Sequence, residues 1–232
     1  MQLKRVLLAS SALALLGGAG TAQAGDLYVS VFGGANWQAD SSGAFSTGTA
    51  ESFRVDPDTG FVVGGAVGAK LTNWLNGLRA EVEVAYRRND LGGAWTISSS
   101  STGGVIDGNS SNFSVMANVW YDFDMGWKIK PYLGGGVGWA RAKADGAAAT
   151  TFTSATLTTG VYTTFNLNAS GFAWQLGVGF NYEAAPGVDV GVGYRYFEGQ
   201  DFSPFFAGKN AVYGRLENQN HSVMVNLTID VN

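Results

Sequence analysis

Arg79, Glu81, Glu83 and Arg87 sit at odd positions of the segment 78–87, interleaved with Leu78, Ala80, Val82, Val84 and Tyr86. Residues two apart in an extended chain project to the same side, so this spacing gathers four charges on one face. A row of that kind can pair internally, conduct ions or move protons. Other candidate chemistry is weaker. His221 is the single histidine and adjoins Ser222, but neighbours in a strand point to opposite faces, so no Ser–His–acid triad is expected. Asp56-Pro57-Asp58-Thr59-Gly60 begins like a calcium loop, yet Phe61 stands at the glycine position and Val67 at the closing acid; it reads as a turn. The glycines at 134–138, 177–179 and 191–193 do not complete a dinucleotide-binding spacing, and no helix follows them. With one histidine and no cysteine, no transition-metal set is expected. The expectation is a chain with no catalytic residues, cofactor or metal.

The element carrying the charge row is one of eight with the same alternation. The others cover 27–37, 61–71, 112–121, 132–139, 172–182, 188–196 and 222–231. In each, aliphatic and aromatic residues take one face, while Gly, Ala, Ser, Asn or charged residues take the other. About ten residues is the length a tilted strand needs to cross a bilayer. The connections alternate: 72–77, 124–128 and 183–187 are short, whereas 38–59, 89–111, 143–170 and 199–219 are long and rich in Ser, Thr, Gly, Asn and Asp. That asymmetry predicts an all-β, eight-stranded antiparallel up-and-down transmembrane β-barrel, with both termini on the short-turn, periplasmic side.

The ends and the composition agree with export. Lys4 and Arg5 precede an apolar run over 6–16, and Ala22-Gln23-Ala24 supplies a small–x–small cleavage site. Residues 1–24 therefore read as a signal peptide and 25–232 as the barrel domain. The chain has 18 acidic against 14 basic residues and no basic cluster, which argues against nucleic acid as a partner. Only 14% of residues are charged, against the usual quarter. No mature stretch has the length of an apolar spanning helix, so membrane residence requires strands that are polar on one face.

The orientation of the faces follows from two features. The polar faces of the second, fifth and sixth strands are mostly Gly and Ala, suited to filling a narrow bore. The apolar faces carry aromatics toward both ends: Trp37, Phe61, Tyr86, Phe113, Trp139 and Phe172 on the loop side, and Tyr121, Phe123, Phe180 and Tyr182 on the turn side. Two such girdles are expected at bilayer interfaces. Turned toward hydrocarbon, each Arg would cost roughly 2–4 kcal/mol near the midplane, and the row together would rival the roughly 5–15 kcal/mol stability of a whole domain. The charges are therefore expected inside. A lumen network is predicted to join Arg79, Glu81, Glu83 and Arg87 to Asp189 and Arg195, with Lys70, Lys130, Asp122 and Asp230 nearer the periplasmic mouth. Structural packing is favoured over an ion path, because unpaired buried charge is costly.

The segments 116–123, 130–140, 173–179 and 190–197, together with His221-Ser222-Val223, resemble the small outer-membrane β-barrel family that includes opacity-type porins, OmpA-like transmembrane domains and surface antigens of alpha-proteobacteria. The resemblance spans essentially all of 25–232. It implies an integral outer-membrane location, contact with outer-membrane lipid and lipopolysaccharide, and insertion by the outer-membrane assembly machinery. That machinery usually reads a C-terminal aromatic, where this chain has Ile229-Asp230-Val231-Asn232. The peptidoglycan-binding domain of full-length OmpA is not expected. The leading functional expectation is a monomer with a structural or surface-interaction role, presenting long loops to an extracellular ligand. Porin-like or OmpW-like passage or binding of small solutes or apolar ligands is the alternative, and a lipid-A-modifying enzyme is the remote one. Phe202, Phe205 and Phe206 form an apolar cluster in the last long loop, expected to pack on the barrel rim.

Overall fold

Backbone N–H and C=O groups in hydrocarbon must find partners within the protein, and eight strands achieve this by closing on themselves. The structure, a computed structural model, describes residues 27–45, 51–97, 102–153, 158–201, 206–207, 210–214 and 217–231. The expected leader 1–24, its cleavage site, and Phe202 and Phe205 lie outside these residues, as does the side chain of Phe206.

The barrel strands are β1 (Leu27–Gln38), β2 (Gly60–Lys70), β3 (Leu78–Ile97), β4 (Thr102–Asp122), β5 (Ile129–Thr153), β6 (Thr158–Ala185), β7 (Val188–Glu198) and β8 (Gln219–Asp230). Each pairs antiparallel with its neighbours in sequence, and β1 closes on β8 from Tyr28↔Asp230 to Gln38↔Asn220. The fold is the expected eight-stranded antiparallel barrel, and no helix occurs among the described residues.

Strand lengths depart from the expectation on the loop side. Residues 89–111 and 143–170 read as loops, but most of them are strand. The β3–β4 ladder continues to Ile97↔Thr102 and the β5–β6 ladder to Thr153↔Thr158. In the first long connection, Ser41–Phe45 pairs with Glu51–Pro57, which extends the sheet along Leu91–Ile97 of β3. In the last, Asn210–Gly214 pairs with Ser41–Phe45 and with Phe206–Ala207. Just beyond the girdles the inner face is still buried, at Leu91, Ser110, Ala142, Ala144 and Ala169, while the outward face is polar, at Asp90, Arg141, Lys143 and Ser170; without an apolar outward face the alternation signal fades.

The short turns hold every positive-φ residue of the described chain: Gly77, Gly126 and Gly187. At Gly187 (φ +73°) the left-handed backbone closes a two-residue Pro186-Gly187 turn, and β6 runs to Ala185 through a bulge after Glu183, so the turn is shorter than the expected 183–187. The barrel has two apolar clusters inside its bore, Phe32, Val62, Ala85 and Met224 on one side and Met116, Ala140, Ala173 and Phe197 on the other. Its outer face is apolar and exposed, with Val31, Val137, Leu176, Val178 and Val225 all more than half accessible. That inversion is what a lipid solvent requires.

Candidate functional site

β3 delivers the charge row into the bore because its even positions face outward. Glu83 is fully buried and Glu81 nearly so. Glu83 Oε2 pairs with Nη1 of Arg195 from β7 and accepts a bond from Asn118 Nδ2 of β4 (3.0 Å), while Oε1 accepts from Gln175 Nε2 of β6 (3.3 Å). One carboxylate thus ties four strands together across the bore. Glu81 makes no ion pair among the described residues: Trp120 Nε1 (2.8 Å) and Asn118 Nδ2 (3.0 Å) donate to Oε1, and the Tyr28 hydroxyl (2.8 Å) donates to Oε2. Hydrogen bonds to a charged group are worth about 1.5–3 kcal/mol each, which is how a buried carboxylate is tolerated.

The cations are bracketed by rings. Arg195 lies 4.9 Å from the Trp120 ring centre and 5.3 Å from that of Phe32. Arg79 forms a two-point contact with Asp122, Nε to Oδ2 at 2.5 Å and Nη2 to Oδ1 at 2.9 Å, with the Tyr28 and Tyr132 rings at 5.5 and 5.8 Å. Arg87 stacks 4.1 Å over Phe197 and donates to Ser114 Oγ at 3.0 Å. A desolvated cation over an aromatic face gains about 2 kcal/mol.

Not every expected member joins. Arg79 takes Asp122 rather than Asp189 as its partner, and Arg87 makes no ion pair among the described residues. Lys70 pairs with Asp230 at 2.7 Å. Asp189 stands apart at the periplasmic mouth, lining a cavity of about 140 Å³ with Lys70, Arg79, Asp122 and Lys130. The reason is strand order: Asp122 lies on β4, paired directly with β3 (Arg79↔Trp120), whereas Asp189 lies on β7, on the opposite wall of the same mouth.

Glycine makes room for the large side chains. A Cβ on Gly177 would stand 3.0 Å from the Trp120 ring, and one on Gly68 or Gly179 would collide with Tyr28 or Tyr132. Facing the loop side, the bore is crossed by a collar of uncharged amides. Asn36 Nδ2 donates to Asn89 Oδ1 (2.6 Å) and Asn220 Oδ1 (2.9 Å), and Ser222 Oγ donates to Asn36 Oδ1 (2.7 Å). Asn112 and Asn220 both donate to Asn218 Oδ1. The available signal was Asn on the inward parity of β1, β3, β4 and β8, adjacent to the aromatic girdle.

The outer face carries the aromatics. Trp37, Phe61, Tyr86, Phe113, Trp139 and Phe172 are exposed at the loop-side end of the apolar band, and Phe123, Phe180 and Tyr182 at the turn-side end, with Tyr121 half-buried. Tyr121 and Phe123 meet edge-on with ring centres 4.8 Å apart. Trp174, Tyr194, Tyr196 and His221 join the loop-side girdle, His221 Nδ1 hydrogen-bonding the Tyr194 hydroxyl at 2.6 Å. His221 is therefore outside the barrel and Ser222 inside it.

A closed antiparallel barrel with a polar, side-chain-filled bore, an apolar exterior and two aromatic girdles defines a transmembrane β-barrel of the bacterial outer membrane. The sequence profile of the outer membrane protein beta-barrel domain matches residues 7–228, and the chain belongs to that family. It is accordingly an integral outer-membrane protein of the Gram-negative envelope, in contact with membrane lipid. No curated protein shows significant similarity to it. Among solved structures, the outer membrane protein OprG from Pseudomonas aeruginosa is 14% identical, covering 88% of this chain and 96% of its own, with a TM-score of 0.52. Neisserial surface protein A is 20% identical, covering 90% and 99%, with a TM-score of 0.48. The attachment invasion locus protein Ail of Yersinia pestis is 14% identical, covering 88% and 99%, with a TM-score of 0.39. At this identity the likeness to OprG concerns the fold alone.

Proposed function

We propose that this protein is a non-catalytic anchor that holds β-ribbons outside the cell for surface interaction, with a bore that does not conduct. In this reading the leader 1–24 directs export and 25–232 inserts as one domain, through the outer-membrane assembly machinery. The observation that carries it is the cross-bore bonding of Glu83 to β4, β6 and β7. An eight-stranded barrel is just wide enough for its own side chains, and here they join opposite walls. An ion path would require those bonds to open together. The continuation of β3 to β6 beyond the girdles supports the second half of the proposal, because a paired ribbon presents its tip at a fixed place.

Planar-bilayer recording tests the bore: the refolded protein is expected to give no steady conductance steps. Steady steps abolished by Arg79→Ala would establish a path through the lumen and overturn the proposal. Shortening the β3–β4 and β5–β6 ribbons outside the girdles tests the surface role. The barrel should keep its heat-modifiable migration on gels while cell adhesion or ligand capture falls to background.

A further inference from the structure

Three outward cations lie together at the loop-side edge of the apolar band. On β3 and β5, Arg88 and Arg141 are the same-face residues that follow the girdle aromatics Tyr86 and Trp139. Lys143 follows Arg141 by one further step. Arg88 and Lys143 share a single register row through Ser111, Arg88↔Ser111 on one side and Ser111↔Lys143 on the other, which places them two strand spacings of about 4.8 Å apart. Arg141 continues the row Tyr86↔Phe113↔Arg141. All three side chains are exposed, and none has a hydrogen-bond or ion-pair partner among the described residues.

The placement is one-sided. Outward loop-side positions of β6, β7, β8 and β1 carry Phe172, Ser170, Tyr196, Glu198, His221 and Trp37, with no Lys or Arg among the described residues. Asp90 and Asp145 stand one same-face step beyond Arg88 and Lys143, farther from hydrocarbon, and Asp145 is engaged by Asn166. The first charges met on leaving the lipid across β3–β5 are therefore positive, with hydrocarbon-facing aromatics directly beneath.

We propose that the β3–β5 face is a docking site for the phosphorylated glycolipid of the outer leaflet. Arg88, Arg141 and Lys143 hold the headgroup phosphates, and Tyr86, Phe113 and Trp139 lie along its acyl chains. Apolar chains, a sugar backbone and anionic phosphate occur in that order along the membrane normal, matching the order of residues on this face. The site rests on the membrane orientation of the barrel, with the long connections outside.

The test is titration of the refolded, detergent-solubilised protein with diphosphoryl lipid A, the bound lipid being counted by native mass spectrometry. A cation near an anionic lipid surface contributes about fivefold, so the triple variant R88Q/R141Q/K143Q is expected to bind on the order of 100-fold more weakly. Dephosphorylated lipid A should bind both forms equally weakly, and inorganic phosphate should not displace the lipid. If the triple variant fails to show the heat-modifiable folded band, Arg88→Gln and Arg141→Gln singly should each lose about fivefold. Unchanged binding by folded variants, indifference to the lipid phosphates, displacement by free phosphate, or dimers that depend on these three residues would each overturn the site while leaving the barrel standing. A wild-type chain without any heat-modifiable form would defeat both.

Discussion

The middle of the bore and its loop-side end are both polar and both buried, yet they are built from different bonds. At the middle, Glu81, Glu83 and Arg195 are ionisable, and each is fixed by contacts from several strands. At the loop side, Asn36, Asn89, Asn112, Asn218 and Asn220 are neutral and bond mainly to one another. The difference is one of consequence. A charge deprived of its partner in low dielectric has no alternative, whereas an amide deprived of one bond keeps others. The charged belt should therefore set the stability of the barrel, and the collar should set the shape of its outer opening.

The largest effect is expected at Glu83. Glu83→Ala leaves Arg195 buried without its carboxylate and removes two further accepted bonds. Breaking a buried pair on one side costs about 3–5 kcal/mol. Urea unfolding in lipid vesicles, followed by tryptophan fluorescence and gel migration, should show that loss. The double variant Glu83→Ala/Arg195→Met should recover part of it. A loss below 1 kcal/mol would mean that the belt is not what holds the barrel.

Asn36 is the matching test in the collar. Its side chain makes three side-chain bonds, to Asn89, Asn220 and Ser222. Asn36→Ala strands neutral groups that can rebond to one another, so the expected loss is about 1–3 kcal/mol, measured in the same urea series. A loss equal to that of Glu83→Ala would erase the distinction between the two regions.

How much of this could be read from the chain follows from the same contrast. The row at 79, 81, 83 and 87 was legible because charge among alternating aliphatics has one inexpensive location, the inside of a barrel. Its partners were legible only in part. Arg195 was foreseen, but the choice of Asp122 over Asp189 for Arg79 depends on the β3–β4 register, which sets Asp122 beside Arg79, and on a closure that leaves β7 on the opposite wall; local sequence fixes neither. The collar was missed because Asn is as common in solvated loops as in a bore. The ribbons were missed for a related reason: beyond Phe113 and Trp139 the outward face turns polar, at Arg141 and Lys143, and the inner one is filled by small residues such as Ala142 and Ala144, so no apolar stripe marks the period of two.

The smallest effect should come from the periplasmic rim, where Lys130 and Glu183 approach to 3.4 Å with both side chains more than a third exposed. The same two charge types that are decisive at the belt should matter little here. Water already solvates each partner, salt screens the pair, and holding two long side chains together opposes the gain. Exposed pairs contribute about 0.2–1 kcal/mol. A double-mutant cycle with Lys130→Gln and Glu183→Gln should give a coupling in that range, shrinking further at 1 M salt. A coupling approaching that of Glu83 with Arg195, and resistant to salt, would show that burial is not the variable separating rim from belt. The contrast would then have to be rebuilt on geometry alone.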